Sequence, residues 1–186
     1  MLILGSTSPR RIELLKTLTT DFVTLSPNFN ESLISKKEKH YALKEAFNKA
    51  LSLKDKINEN DLLITSDTVV ILKKEIIGKP TSLENAKEIL NKLSNNRHKV
   101  VTGVVILYKN KAYFKEVTSY VYFNKLDDKT ITNYINNENV LDKAGAYAVQ
   151  DDKNFHIIKK IKGDYYNVMG FPLFYIKKQL KKFNFI

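Results

Sequence analysis

Residues 2–18, with the sequence LILGSTSPRRIELLKTL, constrain the fold of this chain more than any other stretch. The apolar run 2–4 predicts a buried β-strand that ends at Gly5, and Pro9 suits the first position of a following helix. Ser8 precedes Pro9 and is predicted to cap that helix through its side-chain oxygen. The stretch therefore predicts a strand, a tight loop and a helix.

Arg10 and Arg11 lie in the first turn of this predicted helix. Cations are unfavourable there because the helix dipole prefers negative charge at its N-terminus. One interpretation is a phosphate site formed by the free backbone N–H groups and the two guanidinium groups. The simpler alternative is that both arginines are solvated. Two adjacent arginines after a strand and a Ser/Thr-rich loop favour the anion site. Binding sites of α/β sheets lie where the C-termini of strands meet the N-termini of helices.

The composition limits the class of protein. The chain has 186 residues, of which 43% are hydrophobic, and this suits one globular unit or two closely joined lobes. No apolar segment approaches the length of a membrane-spanning helix, and no signal peptide is expected at the N-terminus. Because there are no cysteines, disulfides and thiolate metal sites are excluded. We expect a soluble, cytoplasmic protein.

The formal net charge of +11 raises the question of nucleic-acid binding. However, the lysines are spread through nearly every segment, together with many Asn, Ile, Tyr and Phe residues. This distribution indicates a general compositional bias rather than one basic face, so nucleic-acid binding is not expected. The positive charge still favours a polyanionic small molecule as the ligand.

A helix is predicted over residues 39–54, where apolar residues recur at intervals of three and four. Lys49 lies four residues after Glu45, and a surface ion pair between them is the simplest interpretation of this lysine.

Asp67 lies between two apolar runs, residues 62–64 and 69–72, that both have β-strand character. A carboxylate in such a position needs a partner, so Asp67 is either a structural hydrogen-bond acceptor or a ligand of a metal or water.

A hairpin turn is predicted at 73–75. Thr81 and Glu84 have the spacing of a capping box for the helix that follows.

The second half of the chain is predicted to begin with two long strands, 98–108 and 112–126, joined by a turn. Asp127 or Asp128 is predicted to cap a short helix. A further strand is predicted over 155–161, and a last helix starts at Pro172.

Residues 140–151, VLDKAGAYAVQD, form an irregular stretch with small side chains that allow close backbone approach. Gln150 can both donate and accept hydrogen bonds, as nucleobase recognition requires. The alternative is an ordinary connector that contains a glycine.

Several common sites are absent from the sequence. It contains neither a P-loop motif nor the glycine-rich fingerprint of a dinucleotide site. Its three histidines lack the spacing of metal ligands and are predicted to be structural or exposed.

The chain resembles the Maf family of nucleoside triphosphate pyrophosphatases, which was first associated with septum formation. The resemblance extends over nearly the whole chain and rests on six motifs in the family's order, which are SPRR (8–11), SDTVV (66–70), IIGKP (76–80), VVTGV (100–104), LDKAGAYAVQ (141–150) and NVMGFPL (167–173).

The resemblance implies a single domain over residues 1–186 with an α/β fold. That fold is a mixed twisted sheet with flanking helices and two lobes around a central cleft, related to inosine-triphosphate pyrophosphatases. The implied reaction is hydrolysis of a nucleoside triphosphate to the monophosphate and pyrophosphate. Arg10, Thr68 and Gln150 match the branch that hydrolyses dTTP and UTP, and they are the implied specificity residues. Family members are often homodimers.

The same resemblance implies roles for individual residues. Asp67 is the expected general base or the anchor of a metal-bound water, and Glu31 with Asp67 is expected to hold Mg²⁺ or Mn²⁺. The residues expected to bind the substrate phosphates are Ser6, Ser8, Arg10, Arg11, Lys49 and Lys79.

Three positions depart from the family pattern: Gly5, Asn95 and Asp151. Asp151 places a charge beside Gln150, so it affects the expected substrate preference more than the chemistry. The alternative function is a non-catalytic regulator of cell division that acts through protein or nucleic-acid binding.

Overall fold

The computed structural model describes residues 1–29 and 39–186. Within this part of the chain, β-strands and α-helices alternate along the sequence. Their order is β1 (Leu2–Gly5), α1 (Pro9–Lys16), β2 (Val23–Thr24), α2 (Tyr41–Leu51), β3 (Leu62–Leu72), β4 (Glu75–Ile77), α3 (Leu83–Leu93), β5 (Arg97–Tyr108), β6 (Lys111–Phe123), α4 (Asp128–Asn137), α5 (Asp152–Phe155), β7 (Ile158–Lys162), α6 (Tyr165–Val168) and α7 (Leu173–Lys182). No helix in these ranges is long and apolar enough to cross a membrane.

The described strands form one sheet with the order β2-β1-β3-β5-β6-β7, and β4 pairs with β3 outside this path. Strand β1 is parallel to both β2 and β3, whereas β4 is antiparallel to β3 and β7 is antiparallel to β6. The predicted mixed α/β fold with flanking helices is therefore confirmed. The predicted single domain and the predicted cleft between two lobes stay predictions.

The chain divides into two compact units. The first consists of Met1–Thr68, Thr102–Val117 and Gly170–Ile186. Its core packs helix α2 against β1, β3 and β5, through the buried residues Ile3, Ala46, Ala50, Leu53, Leu63 and Val105. A Cβ atom at Gly103 of β5 would lie 2.4 Å from the backbone of Leu43, so only glycine lets α2 approach the strand this closely.

The second unit consists of Val69–Val101 and Thr118–Met169. Its core contains helices α3 and α4 together with the second halves of β3 and β6. Tyr134 of α4, Tyr147 and Phe123 are buried in this core. Two of these residues are tyrosines, whose hydroxyl groups need hydrogen-bond partners when buried.

Several element boundaries agree with the sequence prediction. Helix α1 begins at Pro9, and Asp127 caps α4 by accepting a hydrogen bond from the backbone N–H of Thr130 at 2.8 Å. The hairpin between β5 and β6 turns at Lys109 and Asn110, which both have positive φ angles.

Other boundaries differ from the prediction. Strand β3 runs without interruption through residues 65–68, because its backbone pairs with β1 at Thr65 and with β4 from Val70 onward. The predicted strand 155–161 begins only at Ile158. The reason is that α5 ends at Phe155 and His156, the next residue, has the left-handed conformation.

Helix α3 is capped by Ser82 and not by Thr81 as predicted. The Ser82 hydroxyl accepts a hydrogen bond from the backbone N–H of Asn85, whose side-chain oxygen accepts one from the backbone N–H of Thr81. This differs from a capping box, because Asn85 replaces Glu84 and its side chain accepts from Thr81, the residue before the N-cap, and not from Ser82 itself.

Candidate functional site

The loop between β1 and α1 folds around the hydroxyl of Ser6. Ser6 is buried, and its Oγ accepts a hydrogen bond from the backbone N–H of Ser8 at 3.2 Å. Ser8 has the extended conformation of a helix N-cap, but its hydroxyl makes no capping hydrogen bond, so the predicted side-chain cap is wrong. Helix α1 thus begins without a side-chain cap, and a bound anion is one of the groups that satisfy such a terminus.

Arg11 connects this loop to β3 and to residue 170. Its Nη1 donates to the backbone oxygen of Ser66 at 2.8 Å and to Ser6 Oγ at 3.4 Å, and its Nε donates to the backbone oxygen of Gly170 at 3.0 Å. Its Nη2 donates to Thr68 Oγ1 at 3.4 Å. These four acceptors are uncharged oxygens, and through them Arg11 orders the surrounding chain.

Thr68 is held in the same cluster. Its Oγ1 lies 2.9 Å from Thr102 Oγ1 and 3.3 Å from the backbone oxygen of Gly170. Gly170 has a φ angle of 96°, and a Cβ atom there would lie 3.3 Å from Thr68 Oγ1, so a side chain at this position would be strained and crowded. We call Ser6, Arg11, Thr68, Thr102 and Gly170 the arginine cluster.

Asp67 forms an ion pair with Lys49 of α2. The distance from Lys49 Nζ to Asp67 Oδ1 is 2.6 Å, and the two side chains are only 13% and 14% exposed. Helix α2 is fixed against β3 nearby, because the Thr65 hydroxyl donates to the backbone oxygen of Ala46 at 2.7 Å. Lys49 is thus the partner that Asp67 requires. The predicted surface pair of Lys49 with Glu45 is wrong, because the Glu45 side chain is buried.

The regular geometry of β3 explains how consecutive residues reach different partners. Successive side chains of a strand point to opposite faces. Thr65 and Asp67 contact α2, whereas Thr68 contacts Arg11. The motif at residues 66–68 therefore joins the ion pair to the arginine cluster.

The remaining predicted residues of the first unit are Arg10 and Glu31. Arg10 is half-buried in the first turn of α1. Glu31 lies outside the described residues. Arg10, Arg11 and Lys49 each carry a positive charge, and this residue type suits an anionic ligand.

Lys79 and Gln150 belong to the second unit. Lys79 is exposed and follows β4, and the backbone oxygen of the preceding Gly78 accepts a hydrogen bond from the N–H of Gly145 at 3.0 Å. Gln150 lies in a 3-10 turn, Val149–Asp151. Its Oε1 is buried and has no hydrogen-bond partner within residues 1–29 and 39–186.

The segment 144–151 that carries Gln150 packs on buried aromatic side chains. Tyr147 OH lies 2.7 Å from His98 Nε2, and the ring of Tyr147 contacts Phe123 edge-on with centroids 4.9 Å apart. Burial lowers the pKa of His98 to about 4 and raises the pKa of Tyr147, so both are neutral near pH 7. His98 is therefore a buried structural residue, as the sequence predicts.

Sequence reasoning did not assign Thr102, Gly170 or His98 to the site. Thr102 and Gly170 lie in motifs that contributed to the family resemblance, VVTGV and NVMGFPL. The motifs therefore marked these two residues, but nothing in the sequence assigned a role to them. His98 contacts Tyr147 across 49 residues of sequence, and no local pattern predicts such a contact.

A divalent cation such as Mg²⁺ needs oxygen ligands from the protein. The described residues contain no group of three or more His, Cys, Asp or Glu side chains that could hold a metal ion. Mg²⁺ is often bound by only one or two carboxylates, with water and substrate phosphates as the other ligands. The single carboxylate of Asp67 would fit this second mode, in which the phosphates of a bound substrate supply further ligands and offset the positive charge nearby.

A family model described as "Maf-like protein" matches residues 1–183. The dTTP/UTP pyrophosphatase of Thermosipho africanus (strain TCF52B) is 42% identical over 173 residues, which cover 92% of this chain and 87% of that protein. The dTTP/UTP pyrophosphatase of Acholeplasma laidlawii (strain PG-8A) is 40% identical over 188 residues, which cover 100% and 98%.

Solved structures show a similar fold at low sequence identity. The Staphylococcus aureus Ham1 protein matches with a TM-score of 0.52 and 13% identity, over 97% of this chain and 98% of that one. A HAM1 protein from Coxiella burnetii matches with the same TM-score and coverage at 11% identity.

Proposed function

The chain belongs to the Maf-like protein family, and we propose that it is a nucleoside triphosphate pyrophosphatase that hydrolyses dTTP and UTP. Water attacks the α-phosphorus, the bond to the β-phosphate breaks, and the products are the nucleoside monophosphate and pyrophosphate. The names of the relatives, which are 40% and 42% identical to this chain, support this proposal. The observation that carries it is the Lys49–Asp67 ion pair beside the arginine cluster.

The cations bind the triphosphate in this proposal. Arg10 and the uncapped start of α1, with the loop at Ser6 and Ser8, contact phosphate oxygens. Arg11 adds its charge, but its N–H groups already contact protein oxygens, so its main contribution is to hold the loop and Thr68 in place. Lys49 and Lys79 add point charges that neutralise the developing pyrophosphate.

Asp67 is the proposed general base. Its carboxylate accepts a proton from the attacking water, and the ion pair with Lys49 keeps the carboxylate oriented. The carboxylate oxygens of Asp67, with those of Glu31, are the proposed ligands of Mg²⁺ or Mn²⁺. When bound, such an ion neutralises charge on the phosphates and lowers the pKa of a coordinated water.

The base is recognised by Thr68, Gln150 and Arg10 in this proposal. Gln150 Oε1 is buried without a partner among the described residues, so a donor on the ligand stabilises it. Uracil and thymine offer the N3–H group as such a donor. A site of this kind selects against bases that leave its buried polar groups unpaired. Selective hydrolysis keeps unwanted pyrimidine nucleotides, including modified ones, out of nucleic acids.

The test is a panel of nucleoside triphosphates assayed for pyrophosphate release, with Mg²⁺, with Mn²⁺ and with a chelator. We expect release from dTTP and UTP at rates well above those for ATP, GTP and CTP, and loss of activity with the chelator. Absence of pyrophosphate release from every nucleotide would overturn the proposal. Activity that a chelator does not reduce would overturn the metal requirement alone.

Two further properties belong to this proposal. A cytoplasmic location fits the substrates, because nucleoside triphosphates are used there for nucleic-acid synthesis. A homodimer is proposed from the family resemblance, and light scattering of the purified protein at micromolar concentration tests it.

A further inference from the structure

Asp151 directly follows Gln150, and its side chain belongs to a hydrogen-bonded group of residues that we call the tyrosine network: Tyr134, Lys143, Ala148 and Asp151. The hydroxyl of Tyr134 accepts a hydrogen bond from the backbone N–H of Ala148 at 3.1 Å and donates one to Asp151 Oδ2 at 3.3 Å. Tyr134 is completely buried. One buried hydroxyl therefore contacts the chain both before and after Gln150.

Lys143 is a second interaction partner of the Asp151 carboxylate. Lys143 Nζ lies 3.4 Å from Asp151 Oδ2, and the two side chains are 9% and 15% exposed. Lys143 also donates to the backbone oxygen of Asn139. A buried ammonium group is costly unless it is paired, and the other carboxylate near it, that of Asp142, is more distant at 3.8 Å and half exposed. Asp151 is thus the principal counter-ion of Lys143.

These contacts leave Gln150 little independent freedom. The backbone N–H of Asp151 donates to the oxygen of Ala148 at 3.2 Å, which closes the turn that contains Gln150. Ala148 and Asp151 are both held by Tyr134, so Gln150 lies between two fixed positions. By sequence alone, the Asp151 charge is expected to affect base preference, whereas in the structure this carboxylate is paired with Lys143 and accepts a hydrogen bond from Tyr134.

We propose that Asp151 is a positioning residue for base selection. Through Tyr134 and Lys143 it holds residues 148–151 so that the Gln150 amide meets the pyrimidine in one orientation. The inference rests on the proposed function, because it concerns the contact between Gln150 and the base. Orientation matters because the amide offers an acceptor on one side and a donor on the other, and a turned amide no longer distinguishes an N3–H donor from an acceptor.

The test compares Asp151→Ala with a matched control, Asp152→Ala. Both variants remove one carboxylate, and the two positions are adjacent. Asp152 Oδ1 accepts a hydrogen bond from the backbone N–H of Ile158 at 2.8 Å, so its loss affects the start of β7. Asp151→Asn is a third variant, which keeps an acceptor for Tyr134 but removes the charge.

The first measurement does not depend on catalysis. Hydrogen exchange of the intact protein is followed by mass spectrometry for peptides covering residues 144–151 and 156–162. We expect Asp151→Ala to speed exchange in the first peptide about tenfold, and Asp152→Ala to speed exchange only in the second. Unchanged exchange at 144–151 in Asp151→Ala would overturn the proposal.

The second measurement is the ratio of kcat/KM for UTP to that for CTP. We expect Asp151→Ala to lower this ratio about tenfold through KM, with kcat within about threefold of the wild type, and Asp151→Asn to have an intermediate effect. In a Gln150→Ala background, Asp151→Ala is expected to have no further effect on the ratio, because Asp151 acts through Gln150.

Each result has a clear meaning. A ratio that falls equally in the Asp152→Ala variant, or that falls again in the Gln150→Ala background, contradicts the positioning role. If Asp151→Ala does not fold, the same comparisons are made with Asp151→Asn. If the wild type hydrolyses no nucleotide, the pyrophosphatase proposal fails. In that case, hydrogen exchange alone shows whether Asp151 stabilises residues 144–151.

Discussion

Strand β3 and the segment 144–151 both carry proposed substrate-binding residues, but they are constructed differently. In β3, Asp67 and Thr68 are consecutive residues of a regular strand, and alternation along the strand determines which face each side chain occupies. Segment 144–151 consists of two 3-10 turns, and Gly145 and Ala146 have positive φ angles. Local backbone geometry orients the residues of β3, whereas distant buried side chains orient Gln150.

This difference predicts that variants in β3 affect chemistry most, whereas variants that affect segment 144–151 alter selectivity and local stability. The Asp67→Asn variant is expected to have the largest effect. It removes the proposed base but keeps the shape of the side chain, so we expect kcat to fall about 10³-fold. Nucleotide binding, measured by calorimetry with UTP, is expected to persist. Near-normal pyrophosphate release with Mg²⁺ would contradict the role of Asp67.

The Lys49→Met variant tests the partner of Asp67. It leaves a largely buried carboxylate without its cation, and breaking such a pair costs about 3 kcal/mol of unfolding free energy. We expect a lower midpoint in urea denaturation and lower activity. Lys49→Arg is the control because it retains the charge. Equal stability of the methionine variant and the wild type would mean that the pair contributes little.

Lowering the pH tests how much neutral His98, which contacts Tyr147 of segment 144–151, contributes to the stability of the fold. Burial lowers the pKa of His98 from 6.5 to about 4, so the unfolded chain takes up this proton before the folded protein does as the pH falls. The contribution of neutral His98 to stability is complete above about pH 6.5 and is lost as the pH falls toward 4. It is reduced by about 2 kcal/mol at pH 5.

Urea denaturation at pH 7.5 and pH 5 measures this loss. His98→Gln is the control, because its side chain does not titrate and this part of the pH dependence is expected to disappear. An unchanged difference between the two pH values in His98→Gln would assign the pH dependence to other groups.

The Gln150→Ala variant is expected to have the smallest effect on rate. We expect the preference for UTP over CTP to fall about tenfold, while kcat changes much less. Steady-state kinetics on UTP, dTTP, CTP and GTP provide the check. Equal losses on all four nucleotides would show that Gln150 does not contribute to base selection.

The prediction from sequence was most accurate where a pattern is local. The strand at residues 2–5, the start of α1 at Pro9 and the cap at Asp127 follow from single residues and their neighbours. It was less accurate where a tertiary contact decides the outcome. Residues 65–68 were not predicted as strand because they are polar, yet pairing with β1 and β4 keeps the strand continuous.

The candidate site shows the same division. The sequence identified Asp67 as a carboxylate that needs a partner, but it assigned Lys49 first to Glu45, because only spacing within the helix was available. The structure pairs Lys49 with Asp67, 18 positions away along the chain. The hydrogen bonds of Arg11 to Ser66, Thr68 and Gly170 likewise connect residues as many as 159 positions apart.

Motif order and hydrophobic periodicity are properties of the chain, and they were enough to identify the family, the mixed α/β fold and the residue types suited to a triphosphate. The three-dimensional contacts were needed to show that Lys49 pairs with Asp67, which oxygens hold Arg11, and how Tyr134 and Asp151 hold the segment around Gln150. The physical reason is that a buried polar group must find a partner, and that partner is set by packing in three dimensions rather than by distance along the chain.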